Sequence, residues 1–151
     1  MKTQHGFTLM ELMITLVVIA ILTAVALPSY TAYVTRGKIP DATSNLSTRR
    51  AQMEQWFQDN QTYLANAAGV SSPACPASPD TASSQNFDFG CTATATTFLL
   101  TATGKNAMAG FQYTIDQNNV KQSNITSPPA PSGWIPATPN NCWVVKQGGT
   151  C

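Results

Sequence analysis

Histidine is almost missing from this sequence, and its absence removes several kinds of chemistry. The only histidine is His5, so a Ser–His or Cys–His catalytic pair has no base beyond the first few residues. A zinc site also lacks ligands, because none of the four cysteines lies in a C-x-x-C pair. No glycine-rich phosphate loop occurs. We therefore expect no enzyme activity, no catalytic residue, no bound metal and no cofactor.

Charged side chains are also scarce. They make up 10% of the residues and leave a formal net charge of +1, which does not call for a nucleic-acid partner or an anionic surface. Three carboxylates beyond the N-terminal third are scattered over predicted loops and strand edges, so none has the context of an acid/base pair. They are Asp80, Asp88 and Asp116.

Two tryptophans and three lysines in the C-terminal half are the residue types that a single-stranded nucleic acid would need for stacking and phosphate contacts. They are Trp134, Trp143, Lys105, Lys121 and Lys146. The lysines are spread widely along the chain, which is typical of an ordinary surface, and Trp143 lies next to an apolar pair that favours a core position. The sequence therefore does not support a nucleic-acid partner.

The four cysteines all lie in the C-terminal half, at Cys75, Cys91, Cys142 and Cys151. An even number of cysteines beyond a hydrophobic N-terminal segment predicts two disulfides, formed in an oxidising compartment. Among the three pairings, we prefer Cys75–Cys91 and Cys142–Cys151 because each closes a local loop. On the loop-entropy model the first bridge contributes about 3 kcal/mol.

What the sequence does have is one long apolar run, from Phe7 to Leu27, in which Glu11 is the only charged residue. As a helix, 21 residues at about 1.5 Å each span the roughly 30 Å hydrocarbon core of a bilayer. Lys2 precedes the run, which predicts that the N-terminus stays in the cytoplasm and the rest of the chain is exported.

Three interpretations of this run compete: a signal-anchor helix, a secretory signal peptide cut after Ala26, and a precursor cut in front of the run. Hydropathy and the small residues at 24–26 favour the signal peptide. Glu11 favours the third interpretation. A carboxylate within an apolar helix costs about 2.5–3.5 kcal/mol on insertion scales, so it usually has a partner or a function. The positive end of a helix would tolerate Glu11, but this does not explain why a signal peptide would carry it.

The segment Gly6-Phe7-Thr8-Leu9-Met10-Glu11-Leu12-Met13 resembles the prepilin processing motif of type IV pilins and of the related type II secretion pseudopilins. The resemblance implies that a membrane-embedded prepilin peptidase cuts after Gly6 and methylates the new amine of Phe7. Glu11 then occupies the position of the family's glutamate. Pro28 matches the helix-disrupting proline at the end of the apolar stretch. The resemblance as a whole covers roughly the first third of the chain.

Other features refine the resemblance. Residues 50–63 are similar to the helix end of class IVa minor pilins, whereas Ala20 stands where many family members have a helix-loosening glycine. Two disulfides and a proline-rich C-terminal region favour a pilin over a pseudopilin. The Cys142–Cys151 pair would resemble the C-terminal disulfide-bounded region of pilins.

The resemblance implies a leader at 1–6, a transmembrane and polymerisation helix at 7–28, and a head domain at 29–151. We expect a single-pass inner-membrane precursor that polymerises with other pilin subunits into an extracellular pilus, with the inner-membrane assembly machinery as a further partner. Adhesion, twitching motility and DNA uptake are the roles this would serve. The alternatives are a type II secretion pseudopilin and, less favoured, a secreted binding module released by signal peptidase.

A physical argument points to how such subunits would dock. The freed Phe7 amine and the Glu11 carboxylate are each costly to bury alone and much less so as a pair. We therefore interpret Glu11, together with Pro28 at the end of the run, as the assembly residues.

The rest of the chain predicts an α+β fold in which the long N-terminal helix continues into a disulfide-stapled, antiparallel β-sheet head. Apolar residues recur at helical spacing and indicate an amphipathic stripe that faces the head. They are Leu46, Met53, Trp56, Phe57 and Tyr63. Pro40 predicts a kink or a new helix start, with Asp41 in the new first turn.

The chain beyond this helix predicts loops and short strands. Residues 69–85 and 127–139 are rich in Pro, Ser and Ala and predict surface loops. Alternating or β-prone segments predict strands at 87–89, 97–103 and 111–115, a turn at 116–119 and a last strand at 143–145. Arg49 and Arg50 predict a solvated helix face, with Arg50–Glu54 as an i,i+4 ion pair.

Overall fold

A computed structural model describes residues 6–138 and 140–151, apart from the side chains of Val25 and Pro28. Its elements are one helix, α1 (Leu9–Asn60), four strands, β1 (Phe87–Ala93), β2 (Phe98–Gly104), β3 (Phe111–Asp116) and β4 (Lys121–Ile125), and a short 3-10 turn at Asn106–Met108. The chain divides into two compact units, Met1–Val34 and Thr35–Cys151, and α1 contributes to both.

In the second unit, α1 buries a narrow stripe of small and apolar side chains. Its members are Thr35, Ile39, Ala42, Leu46 and Met53. Their spacing of four, three, four and seven residues is that of one helix face, so this part of α1 is amphipathic, as the sequence predicted. Trp56 and Phe57 lie at the margin of the stripe and are only half-buried.

The prediction that Pro40 starts a new helix is wrong, because α1 runs through this position without a break. A proline inside a helix removes one backbone hydrogen bond and costs about 3 kcal/mol. Ile39 and Ala42, on either side of it, are fully buried, and their burial opposes a break at this point. Pro40 itself is exposed.

The four strands form one antiparallel sheet in the order β1-β2-β3-β4. Phe87 in β1 opposes Gly104 in β2, Leu100 in β2 opposes Ile115 in β3, and Phe111 in β3 opposes Ile125 in β4. Alternate residues of each strand are buried, so one face of the sheet is core. The predicted strands correspond to β1, β2 and β3, and residues 116–119 make the expected turn into β4.

Arg49 and Arg50 connect α1 to the sheet and to the loops next to it through side-chain contacts. The guanidinium of Arg49 pairs with Asp80 and lies 4.9 Å from the ring centroid of Phe89. Arg50 donates to the carbonyl oxygens of Asp116 at 3.3 Å and Gln117 at 3.1 Å. The prediction of a solvated face is therefore wrong, while the predicted Arg50–Glu54 pair is confirmed at 3.8 Å.

Both disulfides close short loops: Cys75 is bonded to Cys91 and Cys142 to Cys151. The predicted last strand at 143–145 is wrong, because these residues form no ladder with the sheet. Instead, the backbone N–H of Val144 donates to the Ser123 hydroxyl at 2.9 Å, and its carbonyl accepts from the Tyr113 hydroxyl at 2.9 Å. Side chains of the sheet thus satisfy the backbone of this segment.

Candidate functional site

The N-terminal end of α1 is capped by the side chain of the residue that precedes it. Thr8 immediately precedes the helix, and its hydroxyl oxygen accepts a hydrogen bond from the backbone N–H of Glu11 at 3.2 Å. A threonine followed by a glutamate three residues later is the capping-box pattern. This pattern is present in the sequence, although it was not among the predicted features. The cap fixes the helix start at Leu9, three residues after Gly6.

The few polar groups of the apolar run are satisfied within the helix. Thr15 donates its hydroxyl proton to the carbonyl of Leu12 at 2.8 Å, and Thr23 donates to that of Ile19 at 2.9 Å. This back-bonding pairs both hydroxyls within the helix. Apart from Glu11, the run therefore presents an apolar exterior, which is what a segment in lipid requires.

This exterior is not covered within the subunit. Every large apolar residue described between positions 7 and 27 is exposed, from 49% at Val18 to 80% at Phe7. By length and composition α1 is the one helix, among residues 6–138 and 140–151, that is suited to crossing a membrane. An exposed apolar surface of this extent needs lipid or protein to cover it.

Glu11 lies in the first turn of α1 and is exposed. Within the described part of the chain, its carboxylate has no ion-pair or hydrogen-bond partner. Gly6 and Phe7, which flank the predicted cleavage bond, lie just before the helix and are exposed. The remainder of the predicted leader, residues 1–5, lies outside the described residues.

Pro28, the other predicted assembly residue, lies within the backbone range of α1. The helix continues for more than thirty residues beyond it, to Asn60, so the helix does not end at this proline. The side chain of Pro28 is not among the described parts of the structure.

The tryptophans and lysines considered for nucleic-acid contacts do not come together as one surface. Trp134 is buried and packs edge-to-face on Phe111, with 5.5 Å between ring centroids. Lys105 pairs with Asp88 at 2.6 Å. By contrast, the Nζ of Lys121 lies 4.8 Å from the ring centroid of the half-buried Trp143, and Lys146 is exposed within the Cys142–Cys151 loop.

The three scattered carboxylates have structural contacts. Asp80 accepts from the backbone N–H groups of Ala82 and Ser83, both at 3.1 Å, and also pairs with Arg49. Hydrogen bonds from Ser83, assisted by Arg49, hold the pKa of Asp80 well below its usual range. Asp88 pairs with Lys105, and Asp116 accepts from the N–H of Val120 at 2.8 Å.

No sequence pattern indicated the arrangement at the outer edge of β4. There Ser123 is buried, and its hydroxyl donates to the carbonyl of Cys142 at 3.0 Å. Asn140 contacts the backbone of the same serine. Near them, burial raises the pKa of the Tyr113 hydroxyl. These partners are about 20 to 30 residues apart in the chain, and no local pattern connects them.

Two family models match consecutive parts of the chain. Residues 1–27 match the prokaryotic N-terminal methylation motif. Residues 28–122 match the family described as "Type IV minor pilin ComP, DNA uptake sequence receptor". Together they include the apolar run, the second half of α1 and the sheet up to the start of β4.

Known proteins with similar sequences include fimbrial and pilus proteins. The fimbrial protein EcpC of Eikenella corrodens is 37% identical over 71 residues, which cover 46% of this chain and 46% of that protein. A probable minor fimbrial protein of Dichelobacter nodosus is 36% identical over 73 residues, covering 48% and 46%. The type IV major pilin PilE1 of Neisseria gonorrhoeae is 38% identical over 72 residues, covering 47% and 34%. The chain thus spans less than half the length of these curated relatives.

Two solved structures resemble the fold. The non-core minor pilin PilV of Neisseria meningitidis has a TM-score of 0.48 at 12% identity, over 64% of this chain and 92% of that one. A type IV pilin of Shewanella oneidensis has a TM-score of 0.46 at 20% identity, over 72% and 97%.

Proposed function

The chain belongs to the type IV minor pilin family, and on that premise we propose that it is a structural subunit of a type IV pilus. Proteins of this family and its relatives are structural pilins, not enzymes. The observation that carries the proposal is the apolar helix surface at 7–27, which is exposed and contains one acid, Glu11. Neighbouring pilin subunits would cover this surface in a filament.

Processing between Gly6 and Phe7 by a prepilin peptidase would create the assembling form. The methylation motif at residues 1–27 supports this route over release by signal peptidase after Ala26, which would remove the whole apolar run. Gly6 is exposed, and among the described residues no atom other than those of its chain neighbours lies within 4 Å of the position that a Cβ would occupy. This open position favours access of a peptidase to the bond that follows it. Methylation of the Phe7 amine would follow.

Before assembly, the apolar run would hold the subunit in the inner membrane with its N-terminus in the cytoplasm. The described run shows no unpaired hydroxyl, and its large side chains face outward, so lipid is a suitable environment. The assembly machinery of the inner membrane would then transfer the subunit from lipid into the pilus. Family membership favours this fate over that of a type II secretion pseudopilin.

Glu11 would guide docking by pairing with the freed amine of Phe7 in a neighbouring subunit. Thr8 satisfies the backbone N–H of Glu11, which leaves the carboxylate available. Burying either charge alone would be unfavourable, whereas a hydrogen-bonded pair offsets much of the desolvation cost. Pro28, at the end of the apolar run, is the other residue we propose to act in assembly.

The test is to replace Glu11 with Gln, which keeps the size of the side chain and removes the charge. We expect normal cleavage after Gly6 but reduced subunit content in sheared pili, measured by quantitative mass spectrometry. Thr15→Val in the same apolar run is the matched control and should be incorporated normally. Undiminished incorporation of the Glu11→Gln subunit would remove this residue from the assembly role.

A role in DNA uptake is a second candidate, because the matched family is described as a DNA uptake sequence receptor. Lys121, held over Trp143, and Lys146, exposed in the C-terminal loop, supply the cations that phosphate contacts require. Adhesion and twitching motility are the other roles expected of such a subunit, and no residue described here favours either.

A further inference from the structure

A polar groove lies on the outer face of β3 and β4, opposite the core. Its volume is about 300 Å³, and it is lined by Gln112, Thr114, Gln122, Ser123, Asn124 and Asn140. The strand register places Gln112 opposite Asn124 and Thr114 opposite Gln122. Side chains directly opposite each other in an antiparallel pair are about 5 Å apart at Cβ, so four of these groups converge on one small area.

Three of the carboxamides that line the groove make no hydrogen bond within the described part of the chain. Within the part of the chain that the structure describes, the side chains of Gln112, Gln122 and Asn124 have no hydrogen-bond partner. Gln122 and Asn124 are exposed and Gln112 is half-buried. Each carboxamide offers an acceptor oxygen and two donor hydrogens, so the groove presents both kinds of group to a ligand.

One wall of the groove is fixed. The Oδ1 of Asn140 accepts from the Ser123 backbone N–H at 2.7 Å, and its Nδ2 donates to the Ser123 carbonyl at 3.0 Å. Ser123 is itself anchored by Val144 and Cys142. A wall held by hydrogen bonds on both sides does not have to be ordered when a ligand binds, which favours affinity.

The lining residues described here carry no formal charge. Lys121, which precedes the groove residues in β4, is directed at the ring of Trp143. Nucleic acids and other polyanions depend on cations for most of their affinity, and an ionic ligand would leave its charge unpaired in this groove. The lining therefore suits a neutral ligand whose groups both donate and accept hydrogen bonds.

We propose that this groove binds a neutral saccharide. Sugar hydroxyls donate and accept hydrogen bonds, as the facing carboxamides do, and adjacent hydroxyls on a ring can engage two carboxamides together. Gln112, Gln122 and Asn124 make the polar contacts, and Thr114 contributes its hydroxyl and methyl groups. This binding is independent of the assembly role of the N-terminal helix.

Nuclear magnetic resonance of the full-length ¹⁵N-labelled chain tests the proposal. The protein is held in dodecylphosphocholine micelles, because glycoside detergents would compete for the groove. Maltoheptaose, chitohexaose and xylohexaose are titrated separately, and a short DNA duplex is titrated in parallel. We expect at least one saccharide to shift the side-chain NH₂ signals of Gln112, Gln122 and Asn124 saturably at millimolar concentration.

Variants decide whether the shifts report the groove. Gln122→Met and Asn124→Leu remove hydrogen-bonding groups at similar volume and should each weaken binding by about tenfold. Thr92→Val, on the same outer face of the sheet but in β1, is the matched control and should bind normally. The backbone spectrum of each variant reports its fold. The proposal is overturned if no saccharide shifts these signals, if the variants bind like the control, or if only the duplex shifts them.

Discussion

Asn140 pairs with the backbone of Ser123 as a neighbouring strand would. Its carboxamide accepts from the Ser123 N–H at 2.7 Å and donates to the Ser123 carbonyl at 3.0 Å. These backbone groups lie on the edge of β4 that faces away from β3, and no strand in the described part of the chain pairs with that edge. Unpaired edge groups invite pairing with other chains, so one side chain closes part of this edge.

Replacing Asn140 with Ala should therefore destabilise the head. Two hydrogen bonds are lost and a half-buried N–H and carbonyl are left without partners, which should cost about 1–3 kcal/mol. Asn141→Ala is the matched control, because Asn141 is exposed and adjacent in the chain. Urea unfolding followed by tryptophan fluorescence measures both variants. Equal midpoints for the two would show that the Asn140–Ser123 contact does not stabilise the head.

Asp80 should make the stability of the head depend on acid. Because hydrogen bonds from Ser83 and the Arg49 guanidinium lower its pKa in the folded state, the folded chain binds this proton less readily than the unfolded chain. Its stabilising contribution is therefore fully present above the unfolded pKa of about 3.9 and is lost as the pH falls below it.

The measurement compares the melting temperature of the wild type with that of Asp80→Asn between neutral pH and pH 3, in micelles. The wild type should be the more stable at neutral pH, and the difference should shrink towards the acid end. Asp59→Asn, at an exposed carboxylate on α1, serves as the control. A difference between wild type and Asp80→Asn that stays constant across this range would contradict the assignment.

If the subunit binds DNA, Lys121 and Lys146 should make phosphate contacts. Each contact releases about 0.9 counterions from a duplex, so the Lys121→Ala, Lys146→Ala double variant should reduce the slope of log affinity against log salt by about two. Fluorescence anisotropy with a labelled duplex measures the slope. Lys105→Ala is the control, since Lys105 is engaged by Asp88. An unchanged slope in the double variant would place DNA contacts elsewhere or exclude them.

The parts of the fold that follow local periodicity could be predicted from the sequence. The stripe through Leu46 and Met53 has helical spacing, and Phe111, Tyr113 and Ile115 alternate as a half-buried strand does. The prediction of a strand at 143–145 was wrong because an apolar residue such as Val144 is expected in two situations. Its backbone can join a β-ladder, or it can form hydrogen bonds with side chains, and the sequence of this segment does not distinguish them. The partners that decide this, Tyr113 and Ser123, are distant in the chain.

The functional residues likewise fall into those that a local motif predicts and those that depend on tertiary contacts. Gly6, Phe7 and Glu11 form a local motif, so their arrangement before and within the first turn of α1 could be anticipated. The tertiary contacts of Arg49 with Asp80 and Phe89 could not be anticipated, because adjacent arginines on a helix are by default expected to be exposed to solvent. The carboxamide groove was equally hidden, since it depends on the register between β3 and β4.

The most direct test of the central claim is the intact mass of the subunit recovered from sheared pili. Our account predicts a chain that lacks Met1–Gly6, begins at Phe7 with one added methyl group, and retains both disulfides. That form keeps the apolar run and Glu11. A recovered chain that begins at Leu27, or the absence of the subunit from the pili, would contradict assembly through the N-terminal helix.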